Sequence, residues 1–183
     1  MRPASGDTEP FEQLFRARGY QDFRWIDPQR IVVAQWVRMK CTFGCDEYGK
    51  CAVCPPNTPS VPECERFFRE YTRAVLFHFA KTVAHPEDRR AWGRDVNRKL
   101  LDLERAVFLA GCPKAFLLFM DSCHLCETCA PTRGECRNPK LARPGLDALA
   151  IDVFSTVRAC GYPIEVLTDF GQEMNRYALL LVD

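Results

Sequence analysis

No stretch of these 183 residues is apolar for long enough to cross a bilayer; AFLLFM and YALLLV are only strand-sized. With three histidines and no glycine-rich phosphate loop, nucleophile elbow or HExxH run, the signatures of nucleotide hydrolysis, acyl transfer and zinc proteolysis are missing. Charge of one sign is missing as well. Lysine and arginine number 25 against 24 aspartates and glutamates, a net charge of +1 that gives no general pull toward nucleic acid or a membrane surface. The opening MRPASGDTEP lacks the apolar core of a secretory leader, so a cytoplasmic, reducing location is expected.

Cysteine is what the chain does have. Eleven of 183 residues, about 6 %, fall below the roughly 8–10 % that marks a small disulfide scaffold, and the count is odd. Eight of them form two tight groups. Cys41, Cys45, Cys51 and Cys54 lie in CTFGCDEYGKCAVCPP, with spacing C-x3-C-x5-C-x2-C-P-P. Cys123, Cys126, Cys129 and Cys136 lie in CHLCETCAPTRGECRNP, with spacing C-x2-C-x2-C-x6-C. Thiolates are soft donors that suit zinc and iron–sulfur centres, not magnesium or calcium.

The second group is the more specific, because three thiolates at successive x2 spacings can cap three corners of a cubane. Bacterial ferredoxins use a related run with a shorter final gap, whereas structural zinc sites pair separate C-x2-C knuckles. This points to a [4Fe–4S] cluster, with zinc as the alternative. The first group closes like an iron–sulfur run, C-x2-C-P-P, but its x3 and x5 gaps also suit a four-cysteine zinc site. Exchange of Cys54 and Cys136 between two clusters, as in two-cluster ferredoxins, stays open.

Around these groups the pattern reads as one α/β domain spanning residues 1–183, with a mixed sheet, flanking helices and two cysteine-rich metal-binding loops. Residues 1–10 read as a flexible lead-in, and a short helix with Phe11, Leu14 and Phe15 then stops at Gly19. Strands are expected at 23–26 and 31–39, the second leading straight to Cys41. Ser60 and Glu63 form a capping box for a helix whose buried face carries Cys64, Phe67, Phe68 and Tyr71. A strand at 73–79 precedes a helix of about 25 residues after Pro86, with Trp92, Val96, Leu100, Leu103 and Val107 inward. A strand at 114–120 hands over to Cys123. A helix from Pro144 carries Leu146, Leu149, Val153, Phe154 and Val157 as far as Gly161, and strands at 164–168 and 177–182 follow. Cys64, Cys112 and Cys160 read as buried structural thiols, and His78 as a core histidine. His85 belongs to a helix start, and His124 stands inside the second cysteine loop. Arg133, Arg137, Lys140 and Arg143 give that loop a basic edge.

From about Cys41 onward the chain resembles a family of cysteine-rich bacterial and archaeal proteins known only as predicted metal-binding proteins. The resemblance is carried by C-x3-C-x2-Y-x2-C-x2-C-P-P, with Tyr48 between cysteines, and by C-x2-C-x2-C-x6-C-R-x-P followed by ARPGLDALAIDV. It implies metal binding and no particular reaction. The residues themselves point to two [4Fe–4S] clusters on the eight cysteines and to an electron carrier serving a redox partner protein. A structural zinc module for a protein partner is the alternative, and an enzyme with a cluster at its active site a third reading. Neither nucleic acid nor membrane is expected as a partner.

Overall fold

The computed structural model describes residues 8–169 and 171–183. Of the expected lead-in, residues 1–7 lie outside the described residues, and Glu9 and Pro10 already belong to the first helix, α1 (Glu9–Ala17). Phe11, Leu14 and Phe15 share one face of it, with Phe15 fully buried. Gly19, at φ +87°, supplies the left-handed turn that takes the chain into β1 (Phe23–Ile26).

Three further strands, β2 (Ala74–Lys81), β3 (Phe116–Leu118) and β4 (Met174–Leu181), complete a sheet in the order β1-β2-β4-β3. The α/β class holds, but every pairing is antiparallel where a mixed sheet was expected. Alternation along the strands feeds two cores. Val75, Phe77, Leu117, Ala178 and Leu180 face one side, and Ala74, Leu76, Leu118, Leu179 and Leu181 face the other. Both faces are therefore roofed by helices. Each large side chain buried this way is worth about 1.5–3 kcal/mol.

The first face is covered by α1 and by α4 (Pro86–Leu109), whose Leu100, Leu103 and Val107 are buried as the periodicity predicts. His85 is the N-cap of α4, and Gly111, at φ +103°, turns the chain just beyond its end. The second face is covered by α3 (Val61–Arg69) and α5 (Val153–Ala159). The capping box of α3 forms as expected: the Ser60 backbone N–H donates to Glu63 Oε2 at 2.8 Å. Such a cap is worth about 1 kcal/mol.

Three expectations fail, each because backbone groups find other partners. The expected strand 31–39 is instead an extended stub followed by a helix, α2 (Gln35–Gly44), so Cys41 is helical. Val33 bridges only to Ile151, outside the sheet, and Gln35 to Lys40 include good helix formers such as Arg38 and Met39. The helix expected from Pro144 is broken into a 3-10 turn at Asp147–Leu149 and the later α5. The Pro144 carbonyl is taken by the Phe119 N–H at 2.9 Å, and Asp152 caps α5 by accepting from the Ser155 N–H at 3.0 Å. The expected strand 164–168 forms no ladder, and Val166 is 76 % exposed.

Cys64, Cys112 and Cys160 are buried in the two cores, as expected. His78 is a satisfied core histidine. Its ring nitrogens meet Asp22 Oδ2 at 2.6 Å and Asn175 Oδ1 at 2.7 Å, and its ring stacks on Tyr177. Among the described residues no helix is long and apolar enough to cross a membrane.

Candidate metal centre

Beyond β3 the chain enters a loop that the rest of the molecule holds firmly. Asn97, fully buried on α4, donates from Nδ2 to the carbonyls of Met120 and Ser122, both at 3.2 Å. Gly145 presses against the same loop so closely that a Cβ there would lie 2.5 Å from the Asp121 carbonyl oxygen, a space only glycine allows. Asp121 and His124 adopt left-handed backbone, at φ 60° and 47°, which costs each about 1–2 kcal/mol. Strain of this kind concentrates at functional loops. The result is that Cys123, between these two residues, is presented at a fixed place.

The first group reaches the same place from the opposite side. Cys41 rides on α2, Cys45 follows its last turn, and Cys51 and Cys54 lie in the irregular chain beyond. The two groups meet: Cys51 Sγ and Cys129 Sγ are 3.4 Å apart, and the Ala52 N–H donates to Cys129 Sγ at 3.5 Å. Asn57 ties both loops with one amide, donating to the Cys51 carbonyl at 3.1 Å and to the Pro131 carbonyl at 2.7 Å. All eight thiols except that of Cys136 line one cavity of about 160 Å³. Cys136 is close enough to Cys123 for their charges to interact. Contact between the groups is thus made by Cys51 and Cys129, while Cys54 senses Cys51 and Cys41 of its own group.

The electrostatics follow from this crowding. The Cys54 thiol donates to Cys51, and this bond, helped by the Val53 N–H, lowers the Cys51 pKa against the effect of burial. Cys54 is raised by giving that same bond, by burial, and by negative charge on Cys51 and Asp147. Burial raises Cys41, Cys123 and Cys129. One thiolate forms readily, and the neighbouring protons leave only when a cation replaces them.

The donor set fits a sulfur-ligated metal. It offers soft ligands, and several sulfurs already receive N–H donors of the kind that tune thiolate centres: Asn138 Nδ2 donates to Cys126 Sγ at 3.1 Å, and the Leu125 and Arg143 N–H groups to Cys123. Among the described residues, however, no group of three or more His, Cys, Asp or Glu side chains is drawn to a single point; the thiols ring a space. Asn57, Asn97, Asn138 and Asp147 brace or border the cavity without any spacing motif that would mark them in the sequence. The basic edge is smaller than expected. Arg143 turns inward to pair with the buried Glu104 at 2.9 Å, while Arg133, which donates to the Pro139 carbonyl at 2.5 Å, stays exposed with Arg137 and Lys140.

A thiol-ringed cavity wedged between a helix and the strained loop beyond a sheet edge belongs to the class of cysteine-rich metal-binding proteins. The chain is a member of one such family: the profile of "Predicted metal-binding protein (DUF2284)" matches residues 24–182, which includes both cysteine groups and every strand except the first residue of β1. No curated protein and no solved structure matches the chain.

Proposed function

We propose that this protein holds two [4Fe–4S] clusters, one on Cys41, Cys45, Cys51 and Cys54 and one on Cys123, Cys126, Cys129 and Cys136, and passes single electrons to a partner enzyme. The observation that carries the reading is the 3.4 Å approach of Cys51 Sγ to Cys129 Sγ, which brings the two groups together so that seven of the eight thiols line one cavity. What favours a cubane over a lone ion is the C-x2-C-x2-C run of the second group, which can cap three corners of one cluster. When bound, such clusters supply one-electron storage at a potential set by net charge, N–H donors to sulfur and exposure to water.

The remaining work falls to the chain. The Ala52, Leu125 and Arg143 N–H groups and the Asn138 amide stabilise negative charge on sulfur, and the carboxylate of Asp147 opposes it at Cys54. Cys45 is exposed next to Phe43, itself 79 % exposed, and gives a partner close approach to the first group. Arg137 and Lys140 offer attraction to an acidic face of that partner.

Anaerobic purification with iron, sulfide and zinc analysis tests this. The expected sample is brown, bleaches with dithionite and carries about eight irons and eight sulfides per chain, the content of two cubanes. A colourless protein with close to two zinc ions overturns the electron-transfer reading in favour of a structural one. A second reading, an enzyme with its metal at the active site, is favoured by one observation: the thiol cavity shares a wall with a larger cavity, of about 540 Å³.

A further inference from the structure

The larger cavity has a polarity of its own. Glu47, Arg90, Ser122, His124 and Asp147 line it and the thiol cavity alike, so they form the wall between the two. Arg89, Phe154 and Arg176 line it at the other end, where they also border a third, open cavity. Both carboxylates of the dividing wall, Glu47 and Asp147, therefore lie toward the thiols. The far end carries two guanidiniums and a single carboxylate, Asp121.

That carboxylate does not satisfy both arginines. Arg89 makes two hydrogen bonds to Asp121 Oδ2, at 3.0 and 3.2 Å, while Arg176 Nε stands 3.5 Å from Oδ1 and has no hydrogen-bond partner although it is buried. The Arg176 side chain is 19 % exposed. Arg176 is thus half-buried with a single carboxylate beside it, at 3.5 Å, and the planar fork of a guanidinium is matched best by a planar oxyanion. The rest of the lining is mixed, with Leu146, Val153 and Ile164 beside Asn175 and Tyr177.

We propose that this cavity binds a small organic carboxylate, its anionic group on Arg176 and Arg89, its apolar body against Phe154 and Ile164, and its far end at the His124 wall next to the thiols. The volume of about 540 Å³ lies in the range of small-molecule sites, roughly 300–1,000 Å³. The carboxylate site rests on the cavity alone; its service to a metal centre, as the place where a substrate meets the metal, rests on the reading above. None of the residues that hold the ligand is a cysteine, so the two ideas stand or fall separately.

Titration calorimetry of the purified protein with benzoate, benzamide and inorganic phosphate decides it, with metal content measured on the same samples. Benzoate is expected to bind one per chain, and benzamide, which keeps the ring and loses the charge, at least about tenfold more weakly. Arg176→Met and Arg89→Met should each weaken benzoate at least about tenfold while leaving the circular dichroism and the metal content unchanged. Should Arg176→Met fail to fold, Arg89→Met decides, since that side chain is 41 % exposed and its loss leaves the strand core untouched. Equal binding of benzamide, heat from phosphate but not benzoate, no benzoate binding, or full affinity in a folded arginine variant overturns the proposal. A sample without metal that still binds benzoate removes the metal-centre reading and leaves the carboxylate site standing.

Discussion

At the level of single residues, the eleven cysteines divide by what surrounds them. Cys64 is 1 % exposed in a core of Phe68, Leu76 and Leu118, and its thiol donates to the Pro59 carbonyl at 3.6 Å. Cys126 borders the thiol cavity and takes a hydrogen bond from Asn138. Cys126→Ser should lower metal content, because a hydroxyl oxygen is a harder and poorer ligand, whereas Cys64→Ala should leave it intact. The second variant should lose about 1 kcal/mol of stability, the size of removing one buried methyl-sized group. Metal analysis and denaturant titration of the two variants make the check, and a Cys64→Ala protein with half the metal would refute the division. The eight cysteines of the two groups were legible as groups because ligand spacing is a local property of the chain. Asn57 and Asn97 were not, since an amide that ties two distant loops leaves no periodic trace in sequence.

Among the elements, α4 does the most to position the site. Its Asn97 and Glu104 both reach toward β3 or the loop after it, with Glu104 Oε1 accepting from the Leu117 N–H at 2.8 Å and the carboxylate pairing with Arg143. Glu104 is 6 % exposed, so Glu104→Ala leaves a buried N–H and a guanidinium without their acceptor. The expected loss is about 3–5 kcal/mol, read as a fall in denaturation midpoint. Glu104→Gln should lose less, because the amide oxygen still accepts from Leu117. Elements with a strong period, such as α4, β2 and β4, were legible in the sequence because packing and pattern agree there. The stretch 31–39 was not. Its β-branched start suggested a strand, yet no sheet edge receives it, and from Gln35 onward helix propensity decides. The break at 144–152 was hidden for a related reason: the competing partner, the N–H of Phe119, is remote in sequence.

For the molecule as a whole, the cores and the cysteine loops are separable. Both faces of the sheet are packed by α1, α3, α4 and α5, and the thiol loops touch only the first core: Cys51 and Cys123 belong to it and Cys54, Cys129 and Cys136 pack against it, while none of the eight joins the second. Apart from two 3-10 turns, at Arg133–Glu135 and Asp147–Leu149, the segments 45–60 and 119–152 contain neither helix nor strand. Removing metal with a strong chelator under reducing conditions should therefore leave the far-UV dichroism and a cooperative unfolding transition in place. The same treatment should expose those two segments to protease, cutting within 45–60 or 124–143 while the sheet resists. Collapse of the whole dichroism spectrum on chelation would mean that the metal, and not the sheet, organises the fold.

One amide gives the cavity a further property. Because Asn57 grips the backbone at Cys51 and at Pro131 together, neither loop can settle into its final shape while the other is loose. On the two-centre reading proposed above, filling one half of the cavity prepares the other, so a chain short of metal would be either empty or complete and seldom half-furnished. Where metal is scarce, loading would then follow supply as a threshold instead of a slope.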